Sequence, residues 1–322
     1  MIKTKLIPFV CGAGAKTAGC EKGPSALKAA GVINHLREKG FDIDWAEDPD
    51  VLYAQETGEV AHQNKKSLGT AERKELVLGH VRHLCAQVEK TVSEDHFPIT
   101  FGGDHAMAAA SIAGFAKAKK AQGRVGLIWV DAHPDINTLE TSPSQAYHGM
   151  PVASLLGMGD PDFVALGQNA ENVPPLKPEH VCYMGIRDID EGEEAYMQEL
   201  GIRRYDMDKI NDMGVAAAFE EAMAYLAPKV DYLCLSFDID ALDPSEGLSV
   251  GTRVENGFKK AEIFHVLTEI LSKYRFDLLE IAEYNPTLDG EITTRAIIFE
   301  LLELYLRANE ISHQDTAEKV AN

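Results

Sequence analysis

The sequence predicts a single α/β domain in which a mostly parallel, doubly wound sheet carries helices on both faces, a three-layer α/β/α arrangement, and three observations predict it. Short β-rich runs alternate with longer stretches whose apolar residues recur at three and four. The strand-like runs are apolar at almost every position, as expected of strands buried on both faces. The chain has 322 residues, 45% of them apolar, enough for one large core and too few for two enzyme domains of ordinary size.

In chain order, strands are expected at Leu6–Val10, Phe97–Phe101, Gly126–Val130, His180–Gly185, Tyr232–Phe237 and Leu278–Ala282. Helices are expected at Gly23–Lys39, Glu72–Lys90, His105–Lys117, Val215–Leu226, Lys259–Ser272 and Glu291–Ala308, where the apolar spacing is helical. Glu47–Thr70 is polar and turn-rich and reads as a surface loop. Asn309–Asn322 loses its apolar periodicity and is expected as a tail, which leaves residues 1–308 as the domain. No internal repeat or low-complexity tract interrupts it.

Net charge is −20 and the pI about 4.9, with lysines and arginines scattered, so a phosphate backbone is excluded as the expected partner. Such acidity serves solubility and can also draw in a cationic substrate. No apolar run approaches the roughly 20 residues of a membrane span, and MIKTKLIPFV is too short and strand-like for a signal peptide. A soluble, cytoplasmic protein is expected. Cys11, Cys20, Cys85, Cys182 and Cys234 are odd in number and form no CxxC pair, so they read as small core residues.

The chemistry gathers at three strand ends. Ile99–Phe101 leads into Gly102, Gly103, Asp104 and His105; Leu127–Val130 leads into Asp131, Ala132, His133, Pro134 and Asp135; Leu233–Phe237 leads into Asp238, Ile239 and Asp240. In open α/β sheets ligands bind at the carboxyl ends of strands. Residues i and i+2 of an extended backbone point the same way, so Asp131 with His133, and Asp238 with Asp240, can each offer two side chains to one site. Any one of these aspartates could merely cap a turn. Burying four carboxylates together without cations would be costly, however, and two imidazoles with four carboxylates exceed what a tetrahedral zinc site needs. The set suits a pair of oxygen-preferring divalent metals.

GGDH at Gly102–His105, DAHPDIN at Asp131–Asn137, SFDIDALDPS at Ser236–Ser245 and EYNP at Glu283–Pro286, in this order, resemble the signatures of arginases, agmatinases and related ureohydrolases. Glu21–Gly31 (EKGPSALKAAG) is similar too, so the resemblance covers most of the chain and implies an arginase-like catalytic domain. It implies that His105, Asp131, Asp135 and Asp238 hold one metal and that Asp131, His133, Asp238 and Asp240 hold the other, with Asp131 and Asp238 bridging. Paired metals lower the pKa of a shared water and supply a hydroxide at neutral pH. Two manganese ions suit this carboxylate-rich set, although the histidines also admit cobalt, iron, nickel or zinc.

The segment from Asp135, Ile136 and Asn137 through Ser142 and Ser144 to Tyr147 and His148 looks like the arginase version. By that resemblance Asn137 and Ser144 bind the α-carboxylate of arginine and His148 handles protons for the departing amine, a task suited to a pKa near neutrality. Local turn capping is the plainer role open to Asn137 and Ser144. Asp190, with help from Glu193, would receive the α-ammonium group, where a plainer reading is an acidic first helical turn. Glu283 would hold the guanidinium, which pairs naturally with a carboxylate. Thr252 completes the expected substrate contacts. The implied reaction is arginine to ornithine and urea, with Glu283 orienting, Asp135 managing a proton and His148 protonating the amine.

Four places depart from the arginase pattern: Pro134 stands where threonine is common, Ala146 where a second carboxylate-binding asparagine is usual, Glu246–Val250 in place of a Pro-Ala-Thr type of stretch, and Arg253 in place of proline. They leave open a sister reaction on agmatine, guanidinobutyrate or formimidoylglutamate. A silent binding protein on the same fold would have no chemical need for the intact ligand set. A homo-oligomer, trimer or hexamer, is expected from the resemblance alone.

Overall fold

The computed structural model describes residues 2–57 and 68–321. One eight-stranded sheet runs through it: β1 (Thr4–Pro8), β2 (Ile43–Trp45), β3 (Phe97–Phe101), β4 (Val125–Val130), β5 (Val181–Ile186), β6 (Arg203–Asp206), β7 (Tyr232–Asp238) and β8 (Leu278–Ala282). Their order across the sheet is β2-β1-β3-β8-β7-β4-β5-β6, and every pairing is parallel. All six expected strands are present within two residues, and β2 and β6 are additional. Both are short edge strands with polar, half-exposed positions, so neither carries the apolar run that marks a buried strand.

Successive residues of a strand face opposite layers, and the core is split accordingly. Ile128 and Val130 join Leu235, Phe237, Leu279 and Ile281 beneath the helices Val32–Glu38, Val215–Leu226 and Lys260–Lys273 and the first turns of the helix that begins at Glu291. Val125, Leu127 and Trp129 join Val181, Tyr183, Cys234 and Leu278 beneath the helices Thr70–Ser93, Ala108–Lys119 and Pro161–Gly167. Each central strand thus feeds two cores, which is why its sequence is apolar at almost every position.

Three expectations change. The helix foreseen over Gly23–Lys39 is two, Gly23–Ala29 and Val32–Glu38, because Gly31 at φ 77 sits in the left-handed region and breaks the run. The loop foreseen over Glu47–Thr70 contains the helix Pro49–Thr57, started by a proline whose fixed φ suits a first turn, and its remainder from 58 to 67 lies outside the described residues. The tail foreseen from Asn309 continues the helix Glu291–Ala321, with Asn309 itself buried. Among the described residues no helix is long and apolar enough to cross a membrane.

For function the decisive feature is adjacency. The strands bearing the loaded ends, β3, β7 and β4, stand side by side with β8 between the first two. Phe101 pairs with Ile281, Ile281 with Phe237, and Phe237 with Val130, so four strands finish in one row. The residues that follow, Gly102, Ala282, Asp238 and Asp131, open onto a common rim.

Candidate metal centre and substrate cleft

The turn after β3 is shaped by two glycines. Gly102 (φ 94) and Gly103 (φ 69) both take left-handed backbone, and a Cβ on Gly103 would stand 2.4 Å from the Cys11 carbonyl oxygen, so only glycine lets the turn close against the segment after β1. The next residue, Asp104, caps the following turn by accepting from the Ala106 amide and also accepts from the Gly14 amide at 2.8 Å. That turn delivers His105 over the sheet, where its ring stacks on Trp129 at 4.1 Å and 10°.

His105 Nδ1 lies 3.0 Å from Asp131 Oδ2, 3.0 Å from Asp238 Oδ2 and 3.3 Å from Asp135 Oδ2. His133 Nδ1 lies 3.4 Å from Asp131 Oδ1 and 3.3 Å from Asp240 Oδ2. Two donor groups therefore share Asp131: His105, Asp131 and Asp135, and Asp131, His133 and Asp240. The two pairs meet through turns rather than through extended chain as read from the sequence: the His133 amide donates to Asp131 Oδ1 at 2.7 Å and the Asp240 amide to Asp238 Oδ1 at 2.8 Å, so each aspartate caps the turn that brings its partner to the site. The His133 carbonyl accepts from the Trp129 indole at 3.0 Å, which ties this turn to β4.

The electrostatics are those of carboxylates crowded together in a buried site. Burial, then the neighbouring carboxylates of Asp240 and Asp135, pushes Asp131 up to about 6. Burial, then Asp240 and Asp131, holds Asp238 well above the usual carboxylate range. Burial opposes ionisation of Asp240 as well, but His133 and the Thr252 hydroxyl keep it below its ordinary value. Burial would lower His105 and His133, yet the facing carboxylates raise both. His105 Nδ1 and Asp131 Oδ2 are buried without a hydrogen-bond partner. Buried polar atoms are ordinarily satisfied, so orphaned donors converging from two turns fit divalent cations.

Above these groups opens a cleft of about 470 Å³ lined by His133, Asp135, Asn137, Ser142, Ser144, His148, Asp190, Glu193, Thr252, Glu283 and Lys16, among others. Every residue expected at the site from the sequence either lines this cleft or, as with His105 and Asp131, lies at its floor. Asp135 (φ 47) and Glu283 (φ 65) both hold left-handed backbone, a strained state for residues with a side chain that collects at functional positions. Glu283 Oε1 accepts from the His105 amide at 2.9 Å and lies 3.0 Å from His148 Nδ1. Burial would lower His148, but Glu283 holds it above its ordinary value.

At the rim, the Asn137 amide donates to Asp190 Oδ2 at 2.8 Å, and its carbonyl accepts from Thr141 Oγ1 at 2.8 Å. Ser142 Oγ and Ser144 Oγ stand 3.3 Å apart. Glu193 accepts from the amides of Ile136 and Asp190, and burial pushes its carboxyl up to about 8. Thr252 lines the cleft while donating to Asp240 Oδ2 at 2.8 Å. Of the departures, Pro134 offers its carbonyl to Tyr183, Ala146 is buried, and Arg253 donates to the Asp289 carbonyl.

Sequence reasoning missed Lys16, an exposed lysine whose loop has no motif and reaches the cleft because the His148 amide donates to the Gly14 carbonyl at 3.3 Å. It also missed Arg187, which donates to carbonyls of Gly185, Asp240, Ala241, Leu242, Val254 and Glu255 and so knots the turn after β7 to the 251–258 rim.

The model of the Arginase family matches residues 4–306. The chain belongs to the arginase family. It is similar to the arginase of Bacillus caldovelox, 38% identical over 288 residues that span 88% of this chain and 91% of that one. It is also similar to the arginase of Bacillus subtilis (strain 168), 36% identical over 290 residues, 89% of this chain and 92% of the relative. The solved structure of arginase from Bacillus subtilis subsp. subtilis str. 168 superposes with a TM-score of 0.82 at 33% identity, covering 95% of this chain and 98% of that one. Membership makes this chain an arginase-family hydrolase, and the buried His/Asp cluster is compatible with a binuclear metal site.

Proposed function

We propose that this arginase-family chain hydrolyses L-arginine to L-ornithine and urea in the cleft above Asp131. The observation that carries the reading is the pair of donor groups sharing Asp131 directly below a rim that carries both hydroxyls and carboxylates. His105, Asp131, Asp135 and Asp238 would hold one divalent cation, and Asp131, His133, Asp238 and Asp240 the other; the oxygen-rich set with two imidazoles favours manganese. When bound, such a pair acidifies a shared water, so that a hydroxide is available at neutral pH.

The chain's own groups do the rest. Glu283, which follows β8 and accepts from the His105 amide, pairs with the planar guanidinium and orients its carbon over the floor. Asp135, whose Oδ2 faces His105 Nδ1 while its side chain lines the cleft, accepts a proton as the tetrahedral carbon forms. His148, held toward its protonated form by Glu283, donates a proton to the departing ornithine amine. Asn137, Ser144 and, beside it, Ser142 bind the α-carboxylate; Asp190 and Glu193 face the α-ammonium; Thr252 touches the substrate while steadying Asp240.

The test is urea release from arginine, agmatine and guanidinobutyrate, each with manganese, cobalt and zinc. Arginine with manganese is expected to be turned over best. Strong agmatine turnover without arginine turnover would sink the substrate assignment. We further propose a cytoplasmic homo-oligomer, a trimer or hexamer, on the strength of the family resemblance; light scattering after size exclusion measures it, and a monomer would refute it.

A further inference from the structure

The buried face of the sheet beneath His105 carries one carboxylate that the reaction above does not use. Glu280 is fully buried in the middle of β8, between Leu279 and Ile281 of one core and on the same face as Leu278 and Ala282 of the other. The strand register places Thr100, Glu280, Ser236 and Trp129 in one transverse row across β3, β8, β7 and β4, neighbours about 4.8 Å apart on the face over which His105 lies. In this row Ser236 Oγ stands 2.8 Å from His105 Nε2. Glu280 Oε1 is 3.9 Å from that same nitrogen, and its Oε2 accepts from the Ser111 hydroxyl of the covering helix. No lysine or arginine among the described residues is paired with it; His105 is the basic group that approaches it.

An unpaired carboxylate in such a place costs stability, and an apolar residue of similar volume would fill the space more cheaply. What the row does supply is a sequence of acceptors. A histidine that binds a cation through one nitrogen must carry its proton on the other and needs an acceptor for it. His105 Nδ1 is the nitrogen that faces Asp131, Asp135 and Asp238, so once it binds a cation Nε2 is the one that must donate. The Ser236 oxygen can accept that proton only if its own hydroxyl proton is turned elsewhere, and the Glu280 carboxyl, its register partner across β7 and β8 and within hydrogen-bond reach, is the acceptor that can take it, although burial raises that carboxyl above its ordinary value.

We propose that Glu280 is a positioning residue for the metal centre: acting through the Ser236 hydroxyl, it holds the His105 ring in the tautomer that leaves Nδ1 free toward Asp131, Asp135 and Asp238. The inference rests on the reading of those carboxylates as metal ligands. His105 belongs to one donor group alone, so the effect falls on one cation site, and the site containing His133 and Asp240 is spared.

The experiment measures manganese per subunit, by metal analysis and by the electron paramagnetic resonance of coupled against single ions, after dialysis of the loaded full chain against graded chelator. Glu280→Gln, Ser236→Ala and the double variant are compared with wild type. The expected result is a roughly 10- to 100-fold weaker retention of one ion in each single variant, little further loss in the double variant, and a metal-free melting temperature that does not fall. Additive losses, equal loss of both ions with a lowered metal-free melting temperature, or two ions held as in wild type would overturn the proposal. Should Glu280→Gln not fold, Ser236→Ala, which removes one oxygen, tests the proposal by itself through the same loss of one ion. A wild-type chain that binds no divalent ion would instead sink the metal reading itself.

Discussion

The floor and the rim of the cleft are built in different ways. At the floor, Asp131, Asp238, Asp240 and His105 are at most 1% exposed and sit at or just beyond the ends of adjacent strands, where the register of β3, β8, β7 and β4 sets their spacing. At the rim, Ser144, Asp190 and Lys16 are exposed and stand on connecting segments held by side-chain hydrogen bonds such as Asn137 to Asp190 and Arg187 to the 251–258 carbonyls. The floor carries chemistry that tolerates no displacement, and a packed sheet supplies that precision. On the proposed reading the rim selects the molecule that enters, and loops can change without disturbing the strands beneath. All four departures from the arginase pattern lie off the strands, and none removes a candidate ligand.

This contrast can be broken at several points. The largest effect is expected at the floor: Asp131→Ala, which removes the carboxylate shared by both donor groups, should abolish retention of both ions by metal analysis and lower urea release about 1,000-fold, roughly 4 kcal/mol of barrier. Retention of two ions with near-normal turnover would refute the shared-floor reading. His148→Ala, between floor and rim, should cost roughly 100-fold in kcat while leaving metal content unchanged. Because Glu283 raises His148 above its ordinary value, the protonated donor persists above pH 6.5 and is lost as pH climbs through the raised value. In wild type the His148-dependent part of kcat should fade on that alkaline side, and Glu283→Gln should shift the fading to lower pH.

A rim variant should separate binding from chemistry. Ser144→Ala is expected to raise KM for arginine about tenfold with kcat and metal content nearly unchanged, the loss of one hydrogen bond to a charged group; a fall in kcat alone would move Ser144 out of the binding rim. The smallest effect is at Glu193. Its folded carboxyl titrates at about 8, so burial destabilises the chain once an unfolded glutamate would ionise, a cost absent below pH 4.5 and full above pH 8. Glu193→Gln should therefore raise the melting temperature by roughly 1–3 °C at pH 8.5 and by less at pH 4.5. Equal shifts at both pH values would show that charge burial is not the cause.

Much of this is legible in the amino-acid order. Continuous apolar runs mark six strands, because burial on both faces leaves no alternation to read, and the candidate ligands stand in clusters at the ends of three of them. The edges are not legible: β2 and β6 are three and four residues long and owe their pairing to neighbours rather than to their own composition. The break at Gly31 is hidden because Leu27, Ala30, Ile33 and Leu36 keep a helical spacing of three across it. The helix Pro49–Thr57 is hidden because its apolar residues, Val51 to Ala54, stand in one consecutive run and show no spacing at three and four. Lys16, Arg187 and Glu280 carry no motif, and Ser236 stands in one only as a strand residue. Their importance comes from distant partners: Arg187 meets Asp240 across 53 positions, Ser236 meets His105 across 131, and Glu280 meets Ser111 across 169.

What the sequence by itself determined was the fold class and the candidate ligand set. Both depend on local rules: the two-residue period of extended chain, the apolar demand of a two-faced strand, and the coincidence of carboxylates and imidazoles at strand ends. What only the tertiary structure decided was which ends are neighbours and what stands behind them. The order β3-β8-β7-β4 follows from how helices pack on both faces of the sheet, a long-range balance that no window of sequence contains, and it brings Asp131 between two histidines and lays Glu280 and Ser236 under one of them.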